Sequence, residues 1–364
     1  MRSRIGTMFL ETPRPDSLAG ADTHREAAPM RSVNMADVAA RAGTSPSAVS
    51  RVLNGRPGVR PDVREAVFNA ARELGYSAHP AARNLALGRT GLVSLVISDR
   101  DVVVGTTFFS ELVASIVTEL DDADYQTVLV LPPELDARTA DSKLRLERFD
   151  GCVVIGHRSN DLILQHALSR NIPTVTLGRP SIPDLPYVDV DNVAAAEAVT
   201  DHLLRLGRSR IGILAGPQET TWGADRLAGF RNTIERAGLV FDPATVEVCP
   251  LTSGGGHAGM LSLLERKPDL DTLLISSESH LPGALAALQA SGRRIPDDVA
   301  IASFDDGSAA QLASPPITSV RQPLADLGHE LGRLILAAIA HDTDISSVTM
   351  AATLVAREST ILAP

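Results

Sequence analysis

Two cysteines among 364 residues, Cys152 and Cys249, are too few for a disulfide framework. Cys152 lies in the apolar run GCVVIG and reads as a buried free thiol in a reducing compartment. No apolar run reaches the roughly 20 residues needed to span a bilayer, so no membrane partner is expected. Residues 1–30 lack the apolar core of a secretion signal. They are rich in Pro, Ala, Asp and Arg and are expected to form a disordered leader. Met30, just ahead of the first patterned segment, is an alternative start. A cytoplasmic protein is the expectation. Enzyme motifs are missing too. The chain has no Walker-type phosphate loop, no HExxH among its nine histidines and no GxSxG turn. The glycine-rich TSGGGHAG at 252–259 lacks dinucleotide-binding spacing and reads as a flexible βα loop. FDD at 304–306 offers a carboxylate pair, but no third ligand lies nearby in sequence. The chain is not read as an enzyme, and no cofactor and no metal are expected.

The net charge of −10 argues against nucleic acid, yet the charge is unevenly placed. Residues 31–90 hold nine arginines and four acidic residues, a balance of +5. Residues 1–30 are neutral, so 91–364 carry −15. A small basic head on a large acidic body would confine DNA contact to the head.

The head reads as helices. Asn34 is a good N-cap, Val38, Ala39 and Ala42 recur at helical spacing, and Gly43 stops the helix. Ser45 caps a second helix with Pro46 at its first position. Val49, Val52 and Leu53 form its apolar face, while Ser47, Ala48, Ser50, Arg51 and Asn54 point elsewhere. Two short helices around a tight glycine turn fit a helix-turn-helix, with a plain αα-hairpin as the alternative. Small side chains at the start of the second helix permit close approach to a groove, and Arg51 can contact guanine through two hydrogen bonds. A third helix follows from Pro61, with Val63, Val67, Ala70 and Leu74 on one stripe and Gly75 at its end. HPAARNLALGRT is then Ala-rich and too short to hold a helix alone.

These segments, MADVAARAGTSPSAVSRVLNGRPGVRPDVREAVFNAARELGY and HPAARNLALGRTGLVSLVI, resemble the LacI/GalR family of bacterial transcription regulators without a gap. The resemblance implies that Pro46, Ser47, Ala48 and Arg51 read bases. It places Ser45, Asn54, Tyr76, Arg83 and Asn84 at or near the DNA backbone. The short segment becomes a hinge helix whose Leu85 wedges into the minor groove, with Ala82 and Ala86 allowing two hinges to pack. Arg60 replaces the usual hydroxyl cap of the third helix and is a candidate phosphate contact.

Residues 91–364 alternate apolar runs with helical patterns. LVSLVI, YQTVLVL, GCVVIG, PTVTLG, YVDVD, RIGILAG, TVEVCP, TLLISS, VAIASFDD and TLVARES are ten candidate strands. Such alternation means doubly wound parallel sheets with a ligand cleft at the strand ends. LPYVDVDNVAAAEAVTDHLLRLGRSRIGILAGP, ADRLAGFRNTIERAGL, RRIPDDVAIASFDD and PPITSVRQPLADLG resemble the effector domain of the same family, similar in fold to periplasmic sugar-binding proteins. By position the resemblance implies a cleft of Phe108, Phe109, Asp191, Asn192, Trp222, Arg226, Leu251, Ser277 and Asp305, joined by Arg179 and Gln322. Carboxylates, an amide and an arginine would read hydroxyls, with an aromatic face on a sugar ring. Other readings stay open: Asp191 or Asn192 as a helix cap, Arg226 as a surface charge, Trp222 as plain core. Thr106 and Thr107 stand where the family often has Asn-Pro, and Ser276, Ser277 and Glu278 where it often has Ala-Asn-Asp. A sugar leads as effector; a purine, or no ligand, remains open.

The expected architecture is an all-α helix-turn-helix head (31–78), a hinge helix (79–89) and an α/β effector domain of two doubly wound subdomains. The first would take 90–205 plus 320–345, the second 206–319 plus 346–364. The expected function is a sequence-specific DNA-binding repressor whose affinity for its operator a small molecule, a carbohydrate, controls. The expected partners are a palindromic double-stranded operator and a second copy in a C2 dimer, with no tetramer-forming heptad after RESTILAP. The rival readings are a solute-binding protein without DNA and an enzyme with a regulatory head.

Overall fold

The computed structural model describes residues 33–53, 57–76, 84, 88–99, 106–132 and 144–361. The leader, Asn54, Ala82, Arg83, Leu85 and Ala86 lie outside these residues, as does most of the expected hinge helix. The chain divides into a unit ending at His79 and a unit beginning at Pro80.

The head is three helices set by their ends. Asn34 accepts from the amides of Ala36 and Asp37, and the Asp37 carboxylate accepts from the amide of Asn34. This reciprocal cap starts α1, Met35–Ala42. Gly43 ends it at φ 63, a left-handed conformation that glycine adopts without a Cβ penalty. Ser45 Oγ accepts from the amide of Ala48 at 3.2 Å and opens α2, Pro46–Leu53. The third helix, α3, is Pro61–Glu73. Val38, Ala39, Val49, Val52, Val67, Ala70 and Ala71 are buried between the three. Arg60 makes no cap with its side chain; it pairs with the Asp62 carboxylate instead.

The larger unit has two six-stranded sheets. The first contains β1 Leu92–Ile97, β2 Gln126–Val130, β3 Gly151–Ile155, β4 Thr174–Leu177, β5 Tyr187–Val190 and β11 Val348–Met350. Their order is β11-β5-β4-β3-β1-β2 and every neighbouring pair is parallel. The second contains β6 Ile211–Ala215, β7 Val246–Val248, β8 Thr272–Ile275, β9 Ala300–Phe304, β10 Thr318–Arg321 and β12 Thr353–Val355. Its order is β12-β10-β9-β8-β6-β7, parallel except for the β10–β12 pair.

Both faces of each sheet are covered, so the central strands read as apolar runs. On the first sheet, Val93, Leu95 and Ile97 meet Leu112 and Ile116 of α4, Thr107–Asp122, and Leu331 and Ile335 of α11, Leu324–Ile339. Val96, Cys152 and Val154 face α5, Leu162–Ser169, on the other side. Burial pushes the Cys152 thiol up to about 12. On the second sheet, Ile211, Ile213 and Phe304 pack with α6, Asn192–Leu204, and α7, Thr221–Arg236. Leu273 and Ile275 pack with α8, Ser253–Arg266, and α9, Leu281–Ala290. A short α10, Ser308–Gln311, follows β9.

Three expectations are corrected. Residues 192–204 pack on the second sheet, not the first, because Ala195, Ala196, Val199 and Leu203 share a core with Ile213 and Phe230. The chain therefore crosses between lobes at Asp191. Residues 320–321 belong to the second sheet and 348–350 to the first, so the boundaries at 205, 320 and 346 each move by several residues. The sequence pattern missed β10 and β11, which are short and hydroxyl-rich. Thr318 and Ser319 are nevertheless buried, their hydroxyls bonded to backbone oxygens of Arg357 and Ile317. Third, the stretch at 252–259 is not a flexible loop. Thr252 caps α8 and the glycines lie in its first turns. A Cβ on Gly256 would stand 2.1 Å from the carbonyl oxygen of His280, so glycine permits α8 to cross α9 closely.

Candidate functional site

On the head, the start of α2 is open to solvent. Ser45, Pro46, Ser47 and Arg51 are exposed, with Ala48 and Ser50 half-buried beside them. The buried Val49 and Val52 turn the opposite face inward. An exposed basic side chain on a helix that begins with small residues is the arrangement a groove-reading helix requires. Tyr76 is half-buried and packs against the head core. Asn84 belongs to the other unit, where its Nδ2 donates to the carbonyl of Thr90 at 3.0 Å and its carbonyl accepts from the amide of Arg89.

In the larger unit a cleft of about 810 Å³, its mouth included, lies between the two sheets. The segments after β1, β3, β4 and β5 line it from one side and those after β6, β7, β8, β9 and β10 from the other. Strand carboxyl ends are where doubly wound sheets place ligands. Of the eleven residues expected there, the structure brings eight to the cleft wall: Phe108, Asn192, Trp222, Arg226, Leu251, Ser277, Asp305 and Gln322.

Arg226 is the centre. It is 5% exposed, not a surface charge. Its Nε donates to Oδ1 of Asn192 at 2.8 Å and its Nη1 to the carbonyl of Ser276 at 2.6 Å. The guanidinium lies 4.0 Å from the ring centroid of Phe304 and 4.8 Å from that of Trp222. Burial pulls its pKa down from the ordinary arginine value, and the carboxylates of Asp305 and Asp189 oppose that shift. Trp222 is half-buried, and Gly216 leaves room for it: a Cβ there would stand 2.5 Å from the indole. Asp305 sits at φ 64, a left-handed conformation that Asp tolerates better than most residues, at the end of β9. Its Oδ1 accepts from Nε2 of Gln322 at 2.5 Å, and its Oδ2 from the amide of Glu278 at 3.3 Å.

Three expected residues are elsewhere. Asp191 caps α6, its Oδ1 accepting from the amide of Ala194 at 2.9 Å. Phe109 packs into the first-lobe core. Arg179 pairs across the lobes with Asp225, Nη2 to Oδ2 at 2.6 Å, and clasps the rim. The 304–306 carboxylates are not a metal pair, because Asp306 is bound by Arg321 and Arg357.

Sequence reasoning missed Asp189, His157 and Glu278 as cleft residues. Asp189 is buried. Its Oδ1 accepts from Nδ2 of Asn192 at 3.1 Å, its Oδ2 from the amide of Arg179 at 2.9 Å, and burial raises its pKa. The usable signal was an aspartate inside a strand of a buried parallel sheet, where a charge needs partners. His157 Nε2 lies 3.1 Å from the carbonyl of Gly178. Asp189 and Asp305 thus act on the buried arginine, and Glu278 joins them in the same cleft wall. Such a wall suits a neutral ligand rich in hydroxyls.

Comparison with known proteins identifies the family and the fold. Residues 34–79 match the family model of bacterial regulatory proteins, lacI family, and residues 200–360 that of the periplasmic binding protein-like domain. The chain is 36% identical over 311 residues to the HTH-type transcriptional regulator CelR of Thermobifida fusca, covering 84% of this chain and 92% of CelR. The solved structure of a CelR–cellobiose complex aligns with a TM-score of 0.70 at 34% identity, covering 90% of this chain and all of that one. The lac repressor dimer bound to operator and the anti-inducer ONPF shares the fold, with a TM-score of 0.78 at 23% identity over 91% of this chain and 99% of that one.

Proposed function

Because this chain belongs to the LacI family of bacterial regulatory proteins and is a DNA-binding transcriptional regulator, we propose that it is a cytoplasmic repressor controlled by a carbohydrate in its cleft. Two free, buried thiols suit a reducing compartment. Ser45, Pro46, Ser47, Ala48, Ser50 and Arg51 read the operator, assisted by Asn54, Tyr76, Arg83, Asn84 and the Leu85 wedge. A single α2 reaches only a few base pairs, so a C2 dimer on a palindrome supplies the rest of the specificity.

The observation that carries the effector reading is the buried Arg226, held between Trp222 and Phe304 and facing more carboxylate than it can neutralise. Carboxylates accept from sugar hydroxyls, the guanidinium donates to them, and the indole packs on the apolar face of a ring. An anionic sugar would meet Asp189, Glu278 and Asp305. The effector acts by changing the free energy of cleft closure, which the clasp between Arg179 and Asp225 already favours.

The test is selection of bound duplexes from a random library by the full chain, followed by release with neutral sugars. The expected result is a palindrome, lost in Arg51→Ala, whose complex responds to at least one sugar of the panel. Enrichment without any response to sugars would remove the carbohydrate reading. No enrichment at low salt, where phosphate contacts are strongest, would remove the DNA reading.

A further inference from the structure

The chain coming from the head enters the first lobe at Thr90 and Gly91, just before β1. Thr90 is exposed, yet both its backbone groups are engaged. Its amide donates to both carboxylate oxygens of Asp150, at 2.8 Å to Oδ1 and 3.1 Å to Oδ2. Its carbonyl accepts from Nδ2 of Asn84 at 3.0 Å. The next amide, that of Gly91, donates to Oδ2 of Asp150 at 2.8 Å. Two consecutive amides that converge on one point make an anion site in the backbone. Here the anion is a side chain 60 residues further along the sequence.

The base of this clamp is rigid. The amide of Asp150 donates to the carbonyl of Leu92 at 2.9 Å. The next residue begins β3, which is buried along its whole length between β1 and β4. The pairing of β1 with β3 starts at Val93 opposite Gly151. A residue of any kind at 150 would preserve that register, so the carboxylate serves the segment ahead of β1 rather than the sheet.

The far end of the relay is Asn84. Besides donating to Thr90, it accepts from the amide of Arg89 through its own carbonyl at 3.0 Å. The Arg89 guanidinium lies 4.9 Å from the ring centroid of Tyr125, which is buried in the first-lobe core. Asn84 is thus fastened to the lobe through Thr90 and Asp150. It immediately precedes Leu85, the expected minor-groove wedge.

We propose that Asp150 is a positioning residue for operator recognition. Its carboxylate fixes how the segment carrying Asn84 and Leu85 leaves the first lobe, so that wedge and base-reading helix meet one operator in register. The proposal rests on the operator reading above and deepens it. Without the carboxylate the segment is free, and ordering it on the operator then costs entropy. A random duplex is held by phosphate contacts that need no such register.

Asp150→Asn tests it, because the side chain keeps its size. In either orientation of the amide, Nδ2 faces a backbone N–H, so the clamp is broken without a change of packing volume. The full-chain parent and variant are titrated at one salt concentration with the palindrome selected by the parent and with a random duplex of equal length. Hydrogen bonds to a charged group are the strong ones, so the variant is expected to bind the palindrome about ten-fold or more weakly and the random duplex about as tightly as the parent. A lowered Tm with an unchanged ratio of the two constants would make Asp150 a structural residue only and overturn the proposal. An equal loss on both duplexes overturns it too, since that is the mark of a damaged head. Should Asp150→Asn not fold, Asp150→Glu and Asp150→Gln decide, being equal in size and different in the carboxylate. The ratio is expected to be higher in the Glu variant, and equal ratios overturn the clamp. A parent that prefers no palindrome removes the operator reading itself, and the positioning role with it.

Discussion

Asn192 is the first helical residue after the chain crosses between lobes, and its Oδ1 accepts from Nε of Arg226 at 2.8 Å. One bond therefore ties the crossing to the residue at the centre of the cleft. A ligand that pulls on the guanidinium pulls on the crossing as well.

Arg226→Ala removes that link. It strips the donors from Oδ1 of Asn192 and the carbonyl of Ser276, each buried, at about 1–3 kcal/mol for a group left unsatisfied. The expected outcome is a lowered Tm together with loss of the sugar response, while operator binding by the ligand-free chain persists. Normal sugar titration in this variant would take Arg226 out of the site.

The glycines of α8 and α9 separate two roles. Gly256→Ala drives a methyl group to within 2.1 Å of the His280 carbonyl oxygen, and Gly283→Ala to within 1.7 Å of that of Ser253. Either should cost about 1–3 kcal/mol through overpacking. Gly254→Ala meets nothing closer than 3.9 Å and should stabilise the helix by up to about 1 kcal/mol. Denaturant unfolding of the three variants checks the order; a neutral Gly256→Ala would mean that α8 and α9 separate readily.

Glu278 makes a prediction for pH. Burial first, then the charges of Asp305 and Asp306, raise its carboxyl above the ordinary value of 4.5. A carboxyl that holds its proton more tightly when folded stabilises the fold in acid, and that stability is lost as pH rises through the folded pKa. Glu278→Gln removes the loss. Its Tm should equal that of the parent in acid, below the ordinary carboxyl pKa, and exceed it increasingly toward neutrality. A difference independent of pH would show that packing, not charge, sets the effect.

The head was legible because its signals are local. Asn34, Gly43, Ser45 and Pro46 fix helix ends within a few residues of themselves, and the structure uses each as a cap, a stop or a start. The strands with long apolar runs were legible for a similar reason. The partners of α6 were not: its apolar spacing shows that it packs on something but not on which sheet. Asp189 carried one signal, an acidic residue inside a buried strand, but its partners Asn192 and the Arg179 amide are brought to it only by the fold. The Asp191 side chain offered a better motif and a lesser role, that of a cap. The glycines at 254–256 looked like freedom, yet α8 needs Gly256 for a tight crossing, which no local pattern reveals.

The placement of α11 also bears on the order in which the molecule can be assembled. Leu327, Leu331, Leu334 and Ile335 complete the core around β1 and β3, although the chain between them builds almost the whole second lobe. The first lobe is thus an open bracket that the nascent chain closes only near its end. Its strands emerge early and must wait, one apolar face uncovered, until a distant helix returns. Closing so long a loop is slow, and exposed strands invite association meanwhile. A ribosome stalled before Leu324 would therefore release a nearly finished second lobe attached to a first lobe that cannot close.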